Sequence, residues 1–239
     1  MNNYRTLRQE AFEANLEIPR RGLAIYTWGN VSAFDRAAGV FAIKPSGVSY
    51  DALTADSMVV VDLEGKTVWG NLRPSLDTET HRALYLSFPG VGGITHTHST
   101  FATAWAQAGR AVPVFGTTHA DYAGEIPCTE FLGKEAVENG YERETGNLIV
   151  NTLKKNSAHL QMILAGGHGP FTWGENAAQS VYHAAVLEEI CRMAFITLQI
   201  NPDTPVLPAH IINKHWERKH GAGAYYGQKG VTPVAVNTY

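Results

Sequence analysis

Two histidines separated by a single residue, His96 and His98, are the strongest chemical signal in the sequence. The run from Gly93 to His98 has the composition of a β-strand, and residues two apart on a strand project from the same face. Both imidazoles are therefore expected to reach one metal ion. A His-x-His pair by itself is weak evidence, because ordinary packing and polar roles use the same spacing.

His168 and Asp77 are the candidates for the remaining ligands. His168 lies in the glycine-rich loop 166–170, directly after a predicted buried strand from Leu160 to Leu164. A backbone that bends freely there can turn the imidazole back over the end of the sheet. Asp77 precedes a predicted helix, where an aspartate serves equally well as an N-cap, so both interpretations of its carboxylate stay open.

Three histidines and a carboxylate form a set of ligands that suits Zn²⁺ better than Ca²⁺ or Mg²⁺. Manganese, cobalt or nickel are able to substitute. The histidines His81, His159 and His183 are interpreted as structural or surface groups, because they fall in helical patterns or just before a strand.

The elements that must hold these residues alternate along the chain. Helical spacing marks Leu7 to Ala14, Thr78 to Ser87, and Asn176 to Leu198. A further helix is expected to be capped by Ser99 or Thr100, to run through Trp105 and to stop at Gly109. Strand patterns mark Val40 to Ile43, Met58 to Asp62, Thr67 to Trp69, Gly93 to His98, Leu160 to Leu164 and Phe171 to Trp173. This mixture predicts an α/β or α+β layered domain, and the strand order stays open.

Composition narrows the classes of function. The 239 residues carry a formal net charge of -3, which gives no broad positive surface for nucleic acid. No apolar run approaches the roughly 20 residues that span a bilayer, and residues 1–10 lack the apolar core of a signal peptide, so no membrane partner and a cytoplasmic location are expected. We predict one domain over residues 1–239, and free thiols at Cys128 and Cys191.

Seven motifs occur in order along the chain. They are Thr27-Trp28-Gly29-Asn30-Val31-Ser32, Lys44-Pro45-Ser46-Gly47, the segment Pro74 to Asp77, His96-Thr97-His98, Gly116-Thr117-Thr118-His119-Ala120-Asp121-Tyr122, His168-Gly169-Pro170 and Ala224-Tyr225-Tyr226-Gly227-Gln228. Through these motifs the sequence resembles, nearly from end to end, the L-ribulose-5-phosphate 4-epimerase family of the class II aldolase/epimerase superfamily.

The resemblance implies an architecture and a metal site. It implies a single-domain α/β/α fold around a central, largely antiparallel sheet, assembled as a homotetramer with active sites between subunits. By matching positions, His96, His98 and His168 are the zinc ligands, and Asp77 is the carboxylate at the metal. An aldolase of the superfamily carries glutamate at this position, so the aspartate favours the epimerase branch.

The resemblance also implies the chemistry. The family epimerises L-ribulose 5-phosphate at carbon 4, giving D-xylulose 5-phosphate by breaking and remaking the C3–C4 bond. Protons must then be handled on both sides of the C4 oxygen. The family's two acid/base residues match Asp121 and Tyr226, and the tyrosine comes from an adjacent subunit. A basic family segment near the subunit junction matches Lys214, His215, Arg218, Lys219 and His220.

Substrate binding is expected around the loop at Ser46 and Gly47, whose hydroxyl and backbone N–H groups suit a phosphate. Asn30 and Lys44 match positions that line the same pocket, and Ser75 and Leu76 complete it. Leu76 departs from the family pattern, because a phosphate-binding serine normally stands there.

Several alternatives for the function follow. Since Leu76 removes a donor, 4-epimerisation of an unphosphorylated ketose competes with the phosphorylated pentulose as the reaction. A class II aldolase that releases both fragments is a second alternative. A non-catalytic scaffold is the third, and retention of all four candidate ligands argues against it.

Overall fold

A computed structural model describes residues 3–122, 124–155 and 160–225. Tyr226, a predicted catalytic residue, lies outside the described residues, as does His159. The described part contains seven strands: β1 Asn30–Asp35, β2 Val40–Ile43, β3 Val59–Asp62, β4 Thr67–Trp69, β5 Gly93–His96, β6 Met162–Ala165 and β7 Gly169–Gly174. Its α-helices are α1 Arg5–Arg20, α2 Thr78–Ser87, α3 Thr100–Gln107, α4 Thr117–Ala120, α5 Lys134–Lys155, α6 Ala177–Ile200 and α7 Ala209–His220.

The strands form one sheet in the order β4-β3-β2-β1-β5-β7-β6, and every neighbouring pair is antiparallel. The predicted fold with a central antiparallel sheet is therefore confirmed. Strand β5 lies in the middle of the order, between β1 and β7. The end of β5 is consequently flanked by protein on both sides.

Helices cover both faces of the sheet. Side chains of α1 and α6 pack with Val31, Ala33 and Val60 on one face. On the other face, side chains of α2 and α5 pack with Phe41 and Val59. This alternation of neighbouring residues between faces is what a sheet buried on both sides requires. The result is three layers, helix on sheet on helix.

Four predicted strands have different bounds in the structure, among them β3, which begins at Val59, and β7, which extends from Gly169 to Gly174. The strand predicted to run from Gly93 to His98 ends at His96, because Thr97 and His98 leave the sheet where the chain turns into α3. The strand predicted from Leu160 to Leu164 begins at Met162 and ends at Ala165. Cys128 and Cys191 are free thiols, as predicted.

Within the described residues, no helix combines the length and the apolar character that crossing a lipid bilayer requires.

Candidate metal centre

Three of the predicted ligands meet at one end of the sheet. Each of His96, His98 and His168 offers a ring nitrogen, and these three atoms lie within 4.8 Å of one another. The Nε2 atoms of His96 and His98 are 3.1 Å apart. Two nitrogens that bind one tetrahedral zinc ion at its usual bond lengths are separated by about 3.3 Å. The arrangement therefore fits a shared metal ion.

The backbone around these histidines leaves no room for side chains at two glycines. Gly29 has a positive φ of 81°, and a Cβ there would lie 2.9 Å from the carbonyl oxygen of His96. A Cβ on Gly169 would lie 2.8 Å from the carbonyl oxygen of Thr97. Close backbone approach of this kind is accessible only to glycine. Both glycines thus allow neighbouring segments to pack against the strand end that carries the histidines.

A hydrogen bond and a ring-stacking contact set the orientation of the His96 ring. Its Nδ1 lies 2.9 Å from the carbonyl oxygen of Pro170, which can only accept, so Nδ1 carries the proton. The ring also stacks on Phe171 at a centroid distance of 4.2 Å. With its proton on Nδ1, the imidazole presents the lone pair of Nε2 to the cluster. Metal-binding histidines in proteins are commonly oriented in this way.

Burial keeps the rings of His98 and His168 neutral. It lowers the pKa of His168 to about 4, and the neighbouring His96 acts in the same direction. Burial also lowers the pKa of His98, again with a contribution from His96. Because a metal binds only the neutral imidazole, these shifts extend metal binding to lower pH than a free histidine allows.

Asp77 lies beside the three nitrogens and not within the 4.8 Å group that they form. It occupies the N-cap position of α2, but its side chain makes no capping hydrogen bond. Instead, Asn30 Nδ2 donates to Asp77 Oδ2 over 2.7 Å, and Asn30 is paired in register with His96 across β1 and β5. The carboxylate is therefore directed toward the metal centre and away from the helix it precedes.

The pKa of Asp77 is lowered even though burial acts to raise it. Interactions with His96, His81 and His168, together with the hydrogen bond from Asn30, outweigh the effect of burial on this carboxyl. Asp77 is consequently ionised at neutral pH. A carboxylate beside neutral imidazoles is the charge arrangement that attracts a divalent cation.

The predicted anion loop is tied to the segment that carries Asp77. The amide of Ser46 donates to the carbonyl oxygen of Arg73 over 2.9 Å, and the amide of Ser75 donates to that of Lys44 over 3.0 Å. Ser46 and Gly47 are exposed, as a binding loop requires. Leu76 is 64% exposed, so its side chain contributes little to the core.

Lys44 is buried at the base of this loop, with only 2% of its surface exposed. Its Nζ lies 3.4 Å from the carbonyl oxygen of Thr27 and above the Tyr50 ring at 5.1 Å. Burial lowers the pKa of Lys44 to about 8. Within the described part of the chain no carboxylate pairs with this ammonium group, which makes it available to an anion.

Asp121 lies in a different cluster. It follows α4, and its carboxylate is 3.0 Å from Arg218 Nη2, 2.8 Å from Lys219 Nζ and 3.5 Å from His215 Nδ1, all on α7. Burial acts to raise the pKa of the Asp121 carboxyl, but hydrogen bonds from Lys219 and Arg218 outweigh this effect, so the pKa lies below its usual value. None of these contacts reaches the three histidines. Asp121 and the basic residues of α7 therefore form a group of their own.

Two residues near the metal centre were not singled out from the sequence. His81, interpreted as a structural or surface residue, is fully buried and lies within the electrostatic reach of Asp77 and His96. Its place one helical turn after Asp77 was the available signal. The ring of Tyr141 lies 5.9 Å from that of His168, and no sequence pattern indicated it.

Comparison with known proteins bears on the identity of this centre. Residues 9–195 match the model of the Class II Aldolase and Adducin N-terminal domain. The chain is 53% identical over 225 residues to L-ribulose-5-phosphate 4-epimerase UlaF of Salmonella paratyphi A, covering 93% of this chain and 99% of the relative. The predicted family resemblance is therefore confirmed.

Solved structures with this fold include aldolases. An L-fuculose 1-phosphate aldolase superposes with a TM-score of 0.76 at 21% identity, covering 89% of this chain and 95% of the other. The L-fuculose-1-phosphate aldolase of Thermus thermophilus superposes with a TM-score of 0.65 at 22% identity, covering 84% and 99%. At these identities the likeness concerns the fold. The match over residues 9–195 and the 53% identical relative show that the chain belongs to the class II aldolase and adducin N-terminal domain family.

Proposed function

We propose that this chain is a zinc-dependent 4-epimerase that interconverts L-ribulose 5-phosphate and D-xylulose 5-phosphate. The observation that carries the proposal is the convergence of the nitrogens of His96, His98 and His168 within 4.8 Å, beside the ionised Asp77. The name of the 53% identical relative supplies the substrate. Manganese or cobalt are expected to replace zinc in the same site.

The histidines present suit such an ion, because burial keeps His98 and His168 neutral and Pro170 leaves Nε2 of His96 free. When bound, zinc would supply Lewis-acid polarisation of the ketose oxygens. The proposed ligands are the three histidines, with Asp77 as the carboxylate at the metal.

The remaining residues bind the substrate. We assign the phosphate to Ser46, the backbone of Gly47 and the buried ammonium group of Lys44, whose charge lacks a carboxylate partner among the described residues. Ser75 lies on the adjoining segment, which is hydrogen-bonded to this loop. The Oδ1 of Asn30 is buried with no partner in the described part of the chain, so it is assigned to accept from a substrate hydroxyl.

The reaction is a retro-aldol cleavage followed by re-addition. The base removes the proton of the C4 hydroxyl, the C3–C4 bond breaks, and its electron pair stays on the C3 fragment as C4 becomes an aldehyde. The aldehyde turns its other face, the bond forms again, and the new C4 alkoxide takes a proton. We assign these two proton transfers to Asp121 and Tyr226.

An assembly of subunits completes this site. Asp121 contacts α7 of its own chain and does not reach the three histidines through any described contact. This separation supports a homotetramer in which residues of one copy act at the histidines of a neighbour. Tyr226 is proposed to come from that neighbouring copy.

The test is an epimerisation assay of the zinc-loaded protein on L-ribulose 5-phosphate, with free L-ribulose and ketohexoses in parallel. Fast turnover of the phosphorylated pentulose, with no released glycolaldehyde phosphate, is the expected result. Release of both fragments would instead indicate an aldolase. A protein without bound metal or turnover would indicate a non-catalytic scaffold.

One observation favours a second substrate class. Leu76 places an exposed apolar side chain beside the loop assigned to the phosphate, and it offers no donor. An unphosphorylated ketose would meet less desolvation cost there than a dianion. Comparable or better turnover of a free ketose in the same assay would support this alternative, and strong preference for the phosphorylated pentulose would exclude it.

A further inference from the structure

Two buried side chains, Tyr50 and Lys44, contact three consecutive carbonyl groups just before β1. The hydroxyl oxygen of Tyr50 lies 2.7 Å from the carbonyl oxygen of Trp28 and 3.0 Å from that of Gly29. Lys44 Nζ lies 3.4 Å from the carbonyl oxygen of Thr27. Each of the three carbonyl groups is therefore held by one of these two side chains.

The phenol of Tyr50 is the donor in both of its contacts. Burial raises the pKa of Tyr50, so the hydroxyl keeps its proton, and a carbonyl oxygen can only accept. The single proton is shared between the two carbonyl oxygens as a three-centre hydrogen bond. The ring of Tyr50 is thereby anchored to the backbone of the loop 27–29.

This ring also holds the ammonium group of Lys44. Nζ lies 5.1 Å from the ring centroid, within the roughly 6 Å over which a cation is attracted to the face of a ring. Its hydrogen bonds to the carbonyl oxygens of Thr27 and Pro45 are 3.4 and 3.5 Å long, which exceeds the usual limit of about 3.2 Å. An ammonium group carries three protons, so these weak contacts leave donor capacity for an anion.

The loop 27–29 is fixed at the metal centre by its other contacts. Gly29 packs so closely that a Cβ there would lie 2.9 Å from the carbonyl oxygen of His96. The next residue, Asn30, donates to Asp77 over 2.7 Å. The ammonium group of Lys44 is therefore connected to the metal centre through the Tyr50 ring and this loop.

We propose that Tyr50 is a positioning residue that sets the distance between the anion site and the metal centre: its ring holds the ammonium group of Lys44, and its hydroxyl fixes that ring to the loop 27–29. A ketose phosphate that binds at both places at once must match this distance, whereas a small anion or a free ketose need not. Tyr50 thereby contributes to the selection of a phosphorylated ketose of matching length. The inference rests on the anion site of the proposed function, and adds a residue that acts through Lys44.

Two substitutions separate the ring of Tyr50 from its hydroxyl. Tyr50→Phe keeps the ring and removes the anchor, whereas Tyr50→Leu removes both. Isothermal titration of the zinc-loaded protein with inorganic phosphate reports on the anion site alone, and Lys44→Met measures phosphate that binds elsewhere, at the metal included. The KM values for L-ribulose 5-phosphate and free L-ribulose report on the distance between the two sites.

We expect Tyr50→Leu to bind inorganic phosphate about 10-fold more weakly, because the ammonium group of Lys44 loses the ring that holds it. Tyr50→Phe should bind inorganic phosphate like the wild-type protein. Its KM for L-ribulose 5-phosphate should nevertheless rise about 3- to 10-fold, because the ring has lost its hydrogen bonds to the loop. Its KM for free L-ribulose should stay unchanged. A loss of stability alone would not separate the two substrates in this way.

Tyr85→Phe is the matched control. Tyr85 is also buried, its hydroxyl oxygen lies 2.6 Å from Ser32 Oγ, and none of its described contacts reaches Lys44 or the loop 27–29. This variant should show the phosphate affinity and the ratio of KM values of the wild-type protein. If Tyr50→Leu does not fold, Tyr50→Phe carries the test, since it removes a single oxygen atom.

The outcomes separate this inference from the proposed function. Wild-type phosphate affinity in Tyr50→Leu, or an unchanged ratio of the two KM values in Tyr50→Phe, would overturn the positioning role and leave the anion site intact. Phosphate binding that is as strong in Lys44→Met as in the wild-type protein would contradict the anion site itself, and the positioning role with it.

Discussion

Asn30 and Asp77 are joined by a hydrogen bond of 2.7 Å from the amide nitrogen of one to the carboxylate of the other. Asn30 faces His96 across two paired strands, whereas Asp77 stands at the start of a helix on one face of the sheet. This contact therefore ties the start of the helix to β1, the strand that is paired with the one carrying His96. It also accounts for part of the lowered pKa of Asp77.

Replacement of Asn30 should consequently weaken metal binding. We expect Asn30→Ala to lower the affinity for zinc by about 10- to 100-fold, because the carboxylate loses a partner that orients it. Loss of a hydrogen bond to a charged group should also cost about 1.5–3 kcal/mol of unfolding free energy. Isothermal titration and chemical denaturation measure the two effects. Unchanged zinc affinity in a folded variant would show that Asn30 does not orient Asp77 for the metal.

Lys44 should make the binding of a phosphorylated substrate depend on pH. Its pKa of about 8 in the folded chain means that the ammonium charge is present below that pH and lost above it. The KM for L-ribulose 5-phosphate should therefore rise as the pH increases through this pKa, whereas the KM for free L-ribulose should not change over the same interval. Lys44→Met should remove the pH dependence of the KM for the phosphorylated substrate, so that both substrates show the same pH profile. Equal pH profiles in the wild-type protein would contradict the assignment of Lys44 to the phosphate.

The same shift has the opposite effect on stability. The folded pKa of Lys44 lies below its unfolded value of about 10.4, so between these values the unfolded chain binds more protons. The contribution of Lys44 to the unfolding free energy should therefore increase as pH rises through this interval. Denaturation of wild-type protein and Lys44→Met across the interval measures it. If the unfolding free energy of the wild-type protein, relative to that of Lys44→Met, fell as pH rises, the burial of Lys44 would be contradicted.

Leu76→Ser should change substrate preference with little effect on folding. The side chain is 64% exposed, and substitutions at such places alter the unfolding free energy by about 0.5 kcal/mol at most. A serine hydroxyl next to the anion loop adds one donor to a charged group, which corresponds to about 10-fold in affinity for a phosphate. Steady-state kinetics on phosphorylated and free pentulose measure the change. The same KM ratio before and after the substitution would place Leu76 away from the phosphate.

The acid/base role proposed for Tyr226 predicts a loss confined to turnover. Tyr226→Phe should reduce kcat by about 10²- to 10⁴-fold, while zinc content and oligomeric state stay as they are. The neighbouring Tyr225→Phe is the matched control, because Tyr225 is exposed and has no assigned part in the reaction. Loss of zinc on replacing Tyr226 would refute the role.

Elements with a regular apolar pattern were predicted well. The hairpin expected near Met58 and Trp69 is present as β3 and β4, and α2 has the predicted bounds of Thr78 and Ser87. Strand β1 was missed. Its polar residues Asn30 and Ser32 alternate with the apolar Val31 and Ala33, which is a short strand pattern, and in the structure the two polar side chains bond to Asp77 and His81.

The residues of the candidate site were likewise predicted only in part. His96, His98 and His168 were predicted from their types and spacing, and the structure brings them together. The burial of His81 and Lys44 was not predictable, because burial depends on which layers cover a residue in the fold. A histidine within a helix and a lysine before a proline are usually at the surface, and only the packed layers show otherwise.

The central claim is tested most directly by turnover of L-ribulose 5-phosphate as a function of zinc content. Protein stripped with a chelator is titrated with Zn²⁺, and formation of D-xylulose 5-phosphate is followed beside a His168→Ala variant. We predict no turnover without metal and a linear rise that ends at one ion per chain, with His168→Ala inactive. Turnover that is independent of zinc, or equal turnover in the His168→Ala variant, would contradict the account.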